Sequence, residues 1–373
     1  MLRKVSFGIF DTGETILSAL VFSTFFPLYI TQHIDTKLYS LLYGLSFLVS
    51  FGFALYLGKL ADARALRKLF FGVFGILTGL ACSLIGVFYG VPILALSVFL
   101  LMAILHQQAL VFYNSLLLTF ETRGFTSGLG VALGYVGSAF ALVFLAENLK
   151  APQVYYVTSI LFMIFLLPSL LTIKNPSQTQ QVSLKEVFRD KRFVVLILSI
   201  LSVTEVANTL VAMMGVYLRE VFSMESVQIY RVIGISALGG VFGGVFWGRL
   251  SDLLGVRRVF WAGFLLWIGF LVTLPFATKE VVLIWGFLAG LSLSHIWTTS
   301  RVLILSEFPE GEASVRLSFL SLTERVASTT GLVVWSLLLY ITGDDYRLSA
   351  GMMAVFPLVG LGLFWYLRRN RLI

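Results

Sequence analysis

The chain has 373 residues, of which 58% are hydrophobic and only 12% charged, and its formal net charge is +8. Soluble domains carry about 25% charged residues, so this composition excludes an ordinary soluble enzyme, a disordered chain and a secreted disulfide scaffold. One helix needs about 20 apolar residues to cross a bilayer core, and a span with its loop takes about 30 residues, so the length predicts a membrane protein with about twelve crossings.

Taken in chain order, twelve apolar runs each predict one membrane-spanning helix. The polar segment 174–192 separates the sixth run from the seventh, so we expect an N-terminal six-helix bundle over 1–173, a linker over 174–192 and a C-terminal six-helix bundle over 193–373. The predicted spans are 6–30, 38–60, 69–88, 92–119, 126–147, 153–173, 193–217, 228–250, 257–276, 281–306, 313–341 and 347–367.

Basic residues are distributed unequally between the two sides of the predicted membrane protein. An even number of spans puts both termini on one side, where 19 of the 27 Lys and Arg residues fall, against 6 on the opposite side. Loops on the cytoplasmic side carry an excess of Lys and Arg. We therefore expect a protein of the plasma (inner) membrane with both termini and the linker in the cytoplasm, and no nucleic-acid partner.

A short pattern, Gly-[Lys/Arg]-Leu-[Ala/Ser]-Asp followed by basic residues, occurs after span 2 and again after span 8, at an offset of 190 residues. The Gly allows close helix approach, and the Asp can cap a helix or accept hydrogen bonds from Arg. We expect a conformational latch here; a tight loop with orienting charges is the alternative. The predicted latch residues are Gly58, Asp62, Arg67, Lys68, Gly248, Asp252, Arg257 and Arg258, together with Glu324 and Arg325.

The repeated loop resembles the signature loop of the major facilitator superfamily, G-x-L-x-D-R-x-G-R-[KR], although Ala65 stands where that pattern has Gly. This resemblance covers the whole chain and implies the major facilitator fold, an all-α membrane protein of twelve helices in two pseudo-symmetric six-helix bundles. The first, fourth and fifth spans also resemble the vacuole-effluxer-like branch, named for an autophagy-related protein linked to amino-acid efflux. The runs that carry this second resemblance are 10–15, 25–29, 112–117 and 127–137.

Several charged and polar residues fall inside predicted spans, where an ionised side chain costs about 2.5–3.5 kcal/mol. They should therefore face a water-filled cavity, which the family architecture places between spans 1, 4, 7 and 10. The 190-residue offset carries Glu14 to the neighbour of Glu205 and His106 to the neighbour of His295. The predicted substrate and ion site comprises Asp11, Glu14, His106, Gln107, Glu205, Asn208, His295 and Arg301.

Roles within this site follow from side-chain chemistry. A carboxylate in an apolar cavity can take up and release a proton near neutral pH, so Glu205 and Glu14 are the first choices as proton carriers. Arg301 could bind a carboxylate or phosphate group of the substrate. Two alternatives stay open: each His is a packing residue, and Glu205 belongs to a structural pair.

The sequence contains neither a phosphate-binding Gly-Lys-Ser/Thr loop nor a metal-ligand motif, so we predict no catalytic residue, metal or cofactor, and no enzyme activity. The predicted function is secondary active transport of a small organic solute, an amino acid or a related compound, by proton-coupled export. The expected partners are this solute, a proton and the bilayer, and we expect a monomer. One alternative is transport of lipid-like or amphipathic molecules, and another is a non-transporting receptor or assembly partner.

Overall fold

A computed structural model describes residues 1–372, and within them all regular structure is helical. The predicted fold class is confirmed, since twelve helices are long and apolar enough to cross a membrane and match the twelve predicted spans within a few residues. Residue 373, the last of the predicted C-terminal bundle, lies outside the described residues. The helices α1 to α12 are Leu2–Ile30, Thr36–Arg64, Arg67–Val87, Pro92–Thr119, Arg123–Asn148, Gln153–Thr172, Lys191–Phe222, Val227–Leu254, Val256–Phe276, Val282–Glu307, Glu310–Thr342 and Tyr346–Arg369.

The alternation of twelve crossings puts both chain ends on one side of the molecule, which we call the terminal side; the opposite one is the far side. The segment between α6 and α7 also lies on the terminal side and contains a short helix, Leu184–Arg189. Asp190 ends this segment and caps α7, because its Oδ1 accepts a hydrogen bond of 3.2 Å from the amide of Phe193. The cap fixes where α7 enters the membrane.

Helices from the two halves of the chain pack directly against each other. Helix α5 packs on α1 within its own half and on α8 and α10 of the other half, while α2 and α4 pack on α11. The α5–α8 crossing is closest at glycines: a Cβ atom on Gly128 would lie 1.9 Å from the carbonyl oxygen of Gly244. Only glycine allows two helix backbones to approach so closely.

Helix α1 changes from α-helical to π-helical geometry just beyond Asp11 and Glu14. Its α-helical first part ends at Leu17, a π-helical segment covers Ser18–Phe25, and α-helix resumes over Phe26–Ile30. Such π segments are uncommon and often occur at functional sites. Here the widened turn carries Ser18 and Phe22 into the wall of a cavity.

The polar and apolar side chains are distributed as expected for a protein surrounded by lipid. Asp62 and Arg67 are 0% exposed, whereas Leu171 and Phe276 are each 80% exposed. An exposed apolar side chain such as Leu171 or Phe276 would be unfavourable in water but contacts lipid tails favourably. Charged groups cannot face lipid in this way and must find partners inside the protein.

Candidate functional site

A cavity of about 370 Å³, which we call the central cavity, lies between the two halves of the chain. Helices from both halves contribute to its wall, and five of the side chains in it carry a formal charge. Its lining residues are Asp11, Glu14, Thr15, Leu110, Val111, Asn114, Gly130, Val131, Gly134, Tyr135, Ser138, Thr204, Ile296, Trp297, Ser300, Arg301, Leu320, Ser321, Glu324 and Arg325.

Arg301 of α10 reaches across the central cavity and binds three helices of the other half. Its Nε donates to Ser127 Oγ at 2.6 Å, its Nη1 to Asn114 Oδ1 at 2.8 Å, and its Nη2 to the Ser127 carbonyl oxygen at 2.9 Å. The same Nη2 lies 3.4 Å from Asp11 Oδ2. The guanidinium therefore joins the two halves in this state, and the predicted role in binding a substrate anion would require some of these bonds to break.

Asp11 and Glu14 both line the central cavity, as the sequence predicts, but they have different partners. Asp11 faces Arg301, and its carboxylate lies against Gly130, where a Cβ atom would come within 1.9 Å of Oδ2. Glu14 Oε1 accepts a hydrogen bond of 2.7 Å from Ser18 and lies 3.3 Å from His106 Nε2. Both carboxylates are thus already held by protein groups.

Glu324 and Arg325, predicted as latch residues, instead lie in the wall of the central cavity. The α-helical part of α11 begins at Ala313 on the terminal side, and eleven residues at 1.5 Å each put Glu324 about 16 Å further into the membrane. The guanidinium of Arg325 lies 4.1 Å from the centre of the Phe47 ring. It donates to the side-chain oxygen of Gln107 in the amide orientation in which the Gln107 nitrogen donates to the Ser321 hydroxyl. The pair therefore belongs to the cavity and not to the terminal rim.

A larger cavity of about 710 Å³, the outer cavity, extends from Arg325 towards the far side. It lies between α1, α2, α4 and α11 and reaches Ser40, near the far-side end of α2, and Thr329 of α11. The predicted site residues His106 and Gln107 line this outer cavity. Arg325 therefore stands between the central and outer cavities, and the space between the halves widens on the far side.

The structure does not bring Glu205, Asn208 and His295 into the lining of the central cavity. Glu205 Oε1 accepts a hydrogen bond from Thr330, and Asn208 donates to the Glu324 carbonyl oxygen at 3.0 Å, so both lie where α7 packs on α11. His295 Nε2 lies 3.1 Å from the Val259 carbonyl oxygen, and the ring packs against α9.

The correction has a simple geometric reason. The symmetry offset carries Glu14 to Thr204 and His106 to Ile296, and Thr204 and Ile296 do line the central cavity. Glu205 and His295 each stand one residue away from these positions. One residue turns a helix by about 100°, so their side chains point to neighbouring helices.

On the terminal side, the first copy of the repeated loop closes the gap between the halves. Asp62 accepts hydrogen bonds from the amides of Ser314 and Val315, at 3.1 and 3.0 Å, in the first turn of α11. Arg67 Nη2 lies 2.9 Å from Asp62 Oδ1, and both side chains are fully buried. Gly58 lets α2 approach, because a Cβ atom there would lie 3.2 Å from Val315 N. We call this set the α2–α11 seal.

The second copy makes a related contact with different side-chain partners. Asp252 accepts hydrogen bonds of 2.8 Å from the amides of Gly124 and Phe125 at the start of α5. A Cβ atom on Gly248 would lie 2.6 Å from the Gly124 carbonyl oxygen. Arg257 pairs with Glu307 and not with Asp252. The side chains of Lys68 and Arg258 form no ion pair within residues 1–372.

The linker adds a third element to the terminal side that the sequence did not predict. Arg67 Nη1 donates to the Gln178 carbonyl oxygen at 2.7 Å, and the Gln180 amide donates to the Asp62 carbonyl oxygen at 3.0 Å. The Gln180 side chain also donates to Glu312 Oε1 at 3.0 Å. The linker therefore spans from the seal on α2 to the beginning of α11.

Sequence reasoning also missed Asn114 and Ser300, which line the central cavity, and Ser127, which binds Arg301 beside it. One signal was available for Asn114: it follows Gln107 by seven residues, two helical turns, and so lies on the same face of α4. Serine is so common in membrane helices that the sequence alone does not single out Ser127 or Ser300. Only the position of Arg301 in the structure shows that Ser127 is its partner.

The whole chain has relatives among known proteins. A protein of Aquifex aeolicus (strain VF5) described as uncharacterized is 60% identical over 363 residues, which cover 97% of this chain and 96% of that protein. Among solved structures, similar folds occur in a bacterial homologue of the iron transporter ferroportin in an outward-facing state (16% identical, 98% of both chains covered, TM-score 0.75) and in the human organic anion transporter MFSD10, also called TETRAN (11% identical, 97% and 98% covered, TM-score 0.78). The E. coli fucose:proton symporter FucP is similar as well (14% identical, 98% and 97% covered, TM-score 0.75).

These structural likenesses show the fold, and the family follows from the sequence itself. The family model described as Major Facilitator Superfamily matches residues 14–246 and 196–372. The two matches overlap over residues 196–246 and together cover most of the chain. The chain is a member of the Major Facilitator Superfamily and a transporter.

Proposed function

We propose that this transporter moves a small organic solute, an amino acid or a related compound, through the central cavity by proton-coupled alternating access. The observation that carries the proposal is the cavity itself: about 370 Å³ between the two halves, with three carboxylates and two guanidiniums in its wall. Charged side chains within membrane spans are costly, and they commonly mark a substrate or ion pathway. The resemblance of the first, fourth and fifth spans to the vacuole-effluxer-like branch favours amino acids.

Glu14 is the best candidate for carrying the proton. It lines the central cavity, and its neighbour His106 lines the outer cavity that widens towards the far side. If the terminal side is cytoplasmic, as the Lys and Arg distribution favours, the present state faces outward. A proton entering from outside would then reach Glu14 past His106, and its release inside would drive export of the solute by antiport.

Alternating access requires the two six-helix bundles, proposed as 1–173 and 193–373, to rock about the cavity. The α2–α11 seal and the Asp252 contact would have to open on the terminal side, since each joins one bundle to the other. Arg301 would also have to release Ser127 and Asn114. The linker 174–192 would tether the bundles during this movement.

The test is flux in proteoliposomes of the purified protein, with and without an imposed pH gradient. Amino acids and related solutes that raise the thermal stability of the protein would be assayed first. We expect a pH gradient to accelerate flux, and we expect Glu14→Gln to abolish this acceleration. Glu280→Gln is the matched control, because Glu280 lies in the α9–α10 loop outside the cavities.

Two results would contradict parts of the proposal. Flux that ignores the pH gradient in both the native protein and Glu14→Gln would remove proton coupling but keep transport. No flux of any stabilising solute would favour the alternative of a receptor or assembly partner.

A further inference from the structure

A third cavity adjoins the central cavity and differs from it in chemistry. This side cavity, of about 280 Å³, lies among α5, α7, α8, α9 and α10, and it shares Tyr135 and Ser138 with the central cavity. The rest of its wall is almost wholly apolar, with Leu210, Met214 and Ala237 as examples. The two cavities meet at Tyr135 and Ser138, and the charged side chains lie on the central-cavity side of these residues.

Glu324 stands out among the three carboxylates of the central cavity. Asp11 faces Arg301, and Glu14 is held by Ser18 and His106. The carboxylate of Glu324, by contrast, accepts no hydrogen bond and forms no ion pair within residues 1–372; only its backbone carbonyl is bound, by Asn208. An ionised carboxylate in a membrane-embedded cavity is costly without a cationic partner, so a cation that pairs with Glu324 would also favour its ionised form.

The charge balance of the central cavity points to a single positive charge. When its three carboxylates are ionised they face two guanidiniums, which leaves one negative charge in excess in the wall of the central cavity. Both guanidiniums are occupied, Arg301 by Ser127 and Asn114 and Arg325 by Gln107. The cavity in this state therefore offers more to a cation than to an anion.

Two aromatic side chains complete the site. Tyr135 and Trp297 line the central cavity together with Glu324, and Tyr135 also lines the side cavity. Aromatic rings attract organic ammonium groups through their π faces. Within residues 1–372, no group of three or more His, Cys, Asp or Glu side chains converges as a metal site.

We propose that the transported solute is an amphipathic organic amine, whose ammonium group pairs with Glu324 and whose apolar part occupies the side cavity. This inference rests on the proposed function, and it names an amine as the small organic solute in place of an amino acid. The carboxylate of Glu324 complements the positive charge of such a molecule, and the side cavity complements its apolar part. The combined volume is in the range of about 300–1,000 Å³ that small-molecule sites usually have.

The test measures binding to the purified full-length protein by quenching of its tryptophan fluorescence. Phenylbutylamine is the probe, phenylbutyrate tests the sign of the charge, and methylamine tests the head group alone. Manganese chloride tests a divalent metal. We expect phenylbutylamine to bind more tightly than the other three, because only it engages both ends of the site.

Two variants separate the ends of the site. Glu324→Gln should weaken phenylbutylamine binding by about 30-fold or more, since a buried charge then loses its partner. Ala237→Phe, which fills the side cavity, should weaken phenylbutylamine but leave the weak binding of methylamine unchanged. Glu324→Asp should restore part of the affinity, and Glu280→Gln should have no effect. The elution profile and the thermal midpoint of each variant show whether it is folded.

The possible outcomes are distinct from those of the flux experiment. Equal or tighter binding of phenylbutyrate, binding that Glu324→Gln leaves unchanged, or manganese binding that depends on Glu324 without amine binding would each overturn the inference. An amino acid that is transported in response to a pH gradient, with no binding of phenylbutylamine, would overturn it and leave the proposed function intact. Amine binding without any flux would support the amine site and contradict transport.

Discussion

In the membrane interior, Arg301 connects the two halves of the chain through several hydrogen bonds. Its planar guanidinium donates to Ser127 and Asn114 and faces Asp11, which come from three helices of the other half. A fork of fixed donors can satisfy several acceptors at once, whereas a lysine ammonium presents its donors from a single point. The geometry thus uses a property of arginine beyond its positive charge.

We therefore predict that Arg301→Lys destabilises the state described here although the charge is kept. Loss of hydrogen bonds to a charged group costs about 1.5–3 kcal/mol each, so the thermal midpoint of the protein in detergent should fall by several degrees. Arg219→Lys is the control, because Arg219 forms an exposed ion pair with Glu220 that contributes little. Equal midpoints for the two variants would show that Arg301 acts through its charge alone.

Ala65 occupies a backbone conformation that suits glycine. Its φ of 52° and ψ of 46° are left-handed, at the C-terminus of α2, and Gly255 has a φ of 86° at the end of α8. Ala65 is the position where the first copy of the loop departs from the superfamily pattern. The structure shows that the departure changes the side chain and retains a positive φ.

Ala65→Gly should consequently stabilise the protein by about 1 kcal/mol, because the left-handed conformation costs a non-glycine residue about 1–2 kcal/mol. Part of this gain is offset by the greater chain entropy of glycine when unfolded. Gly255→Ala should destabilise by at least as much, because Gly255 combines its positive φ with a ψ of 133° and so lies outside the left-handed helical region that alanine can adopt. Thermal unfolding of the two purified variants measures both changes, and shifts of the same sign would contradict the explanation.

At the scale of elements, the two loop copies perform related tasks with unequal support. Both aspartates accept backbone amides at the start of a helix in the opposite half, α11 for Asp62 and α5 for Asp252. Asp62 is 0% exposed and pairs with Arg67, whereas Asp252 is exposed and forms no ion pair with any residue that the structure describes. The linker further covers the first contact through Gln180.

This difference predicts unequal effects for the same substitution. Asp62→Asn leaves Arg67 buried without its ion pair and should cost about 3–5 kcal/mol. Asp252→Asn removes one of the two side-chain oxygens that accept α5 amides, and the loss of one hydrogen bond should cost about 1 kcal/mol. Hydrogen exchange of the Ser314 and Val315 amides measures the first contact, and exchange of the Gly124 and Phe125 amides the second. Equal loss of protection at both sites would mean that Arg67 and the linker contribute nothing to the seal.

The helices could be predicted closely from sequence, but the directions of their side chains could not. Hydropathy locates a span because a bilayer requires about 20 apolar residues in a row, and every predicted span overlaps one of the twelve helices. Helical spacing gives the angle between two side chains of one helix but not the direction in which the pair points. Asp11 and Glu14 fell on the cavity side, whereas Glu205 fell on the α11 side, because one residue changes the direction by about 100°.

At the scale of the whole molecule, sealed and open regions lie on opposite sides of the central cavity. The terminal side is closed by the α2–α11 seal and the Asp252 contact, and the outer cavity widens on the far side. If the two halves rock as rigid bodies about this cavity, opening the terminal side closes the far side. The seal should then control access to residues inside it.

Single-cysteine variants test this coupling. They start from Cys82→Ser, which removes the one native cysteine. Serine suits this buried position because its hydroxyl can replace the thiol as donor to the Tyr155 carbonyl oxygen. In sealed vesicles, Ser328→Cys in the outer cavity should react with a membrane-impermeant maleimide added on the far side. Val315→Cys, which is 0% exposed within the seal, should react from neither side. Adding Asp62→Asn should expose Val315→Cys to reagent on the terminal side and slow the reaction of Ser328→Cys. If the second reaction keeps its rate while the first appears, the two sides open independently, and the seal is a local contact without control over the far side.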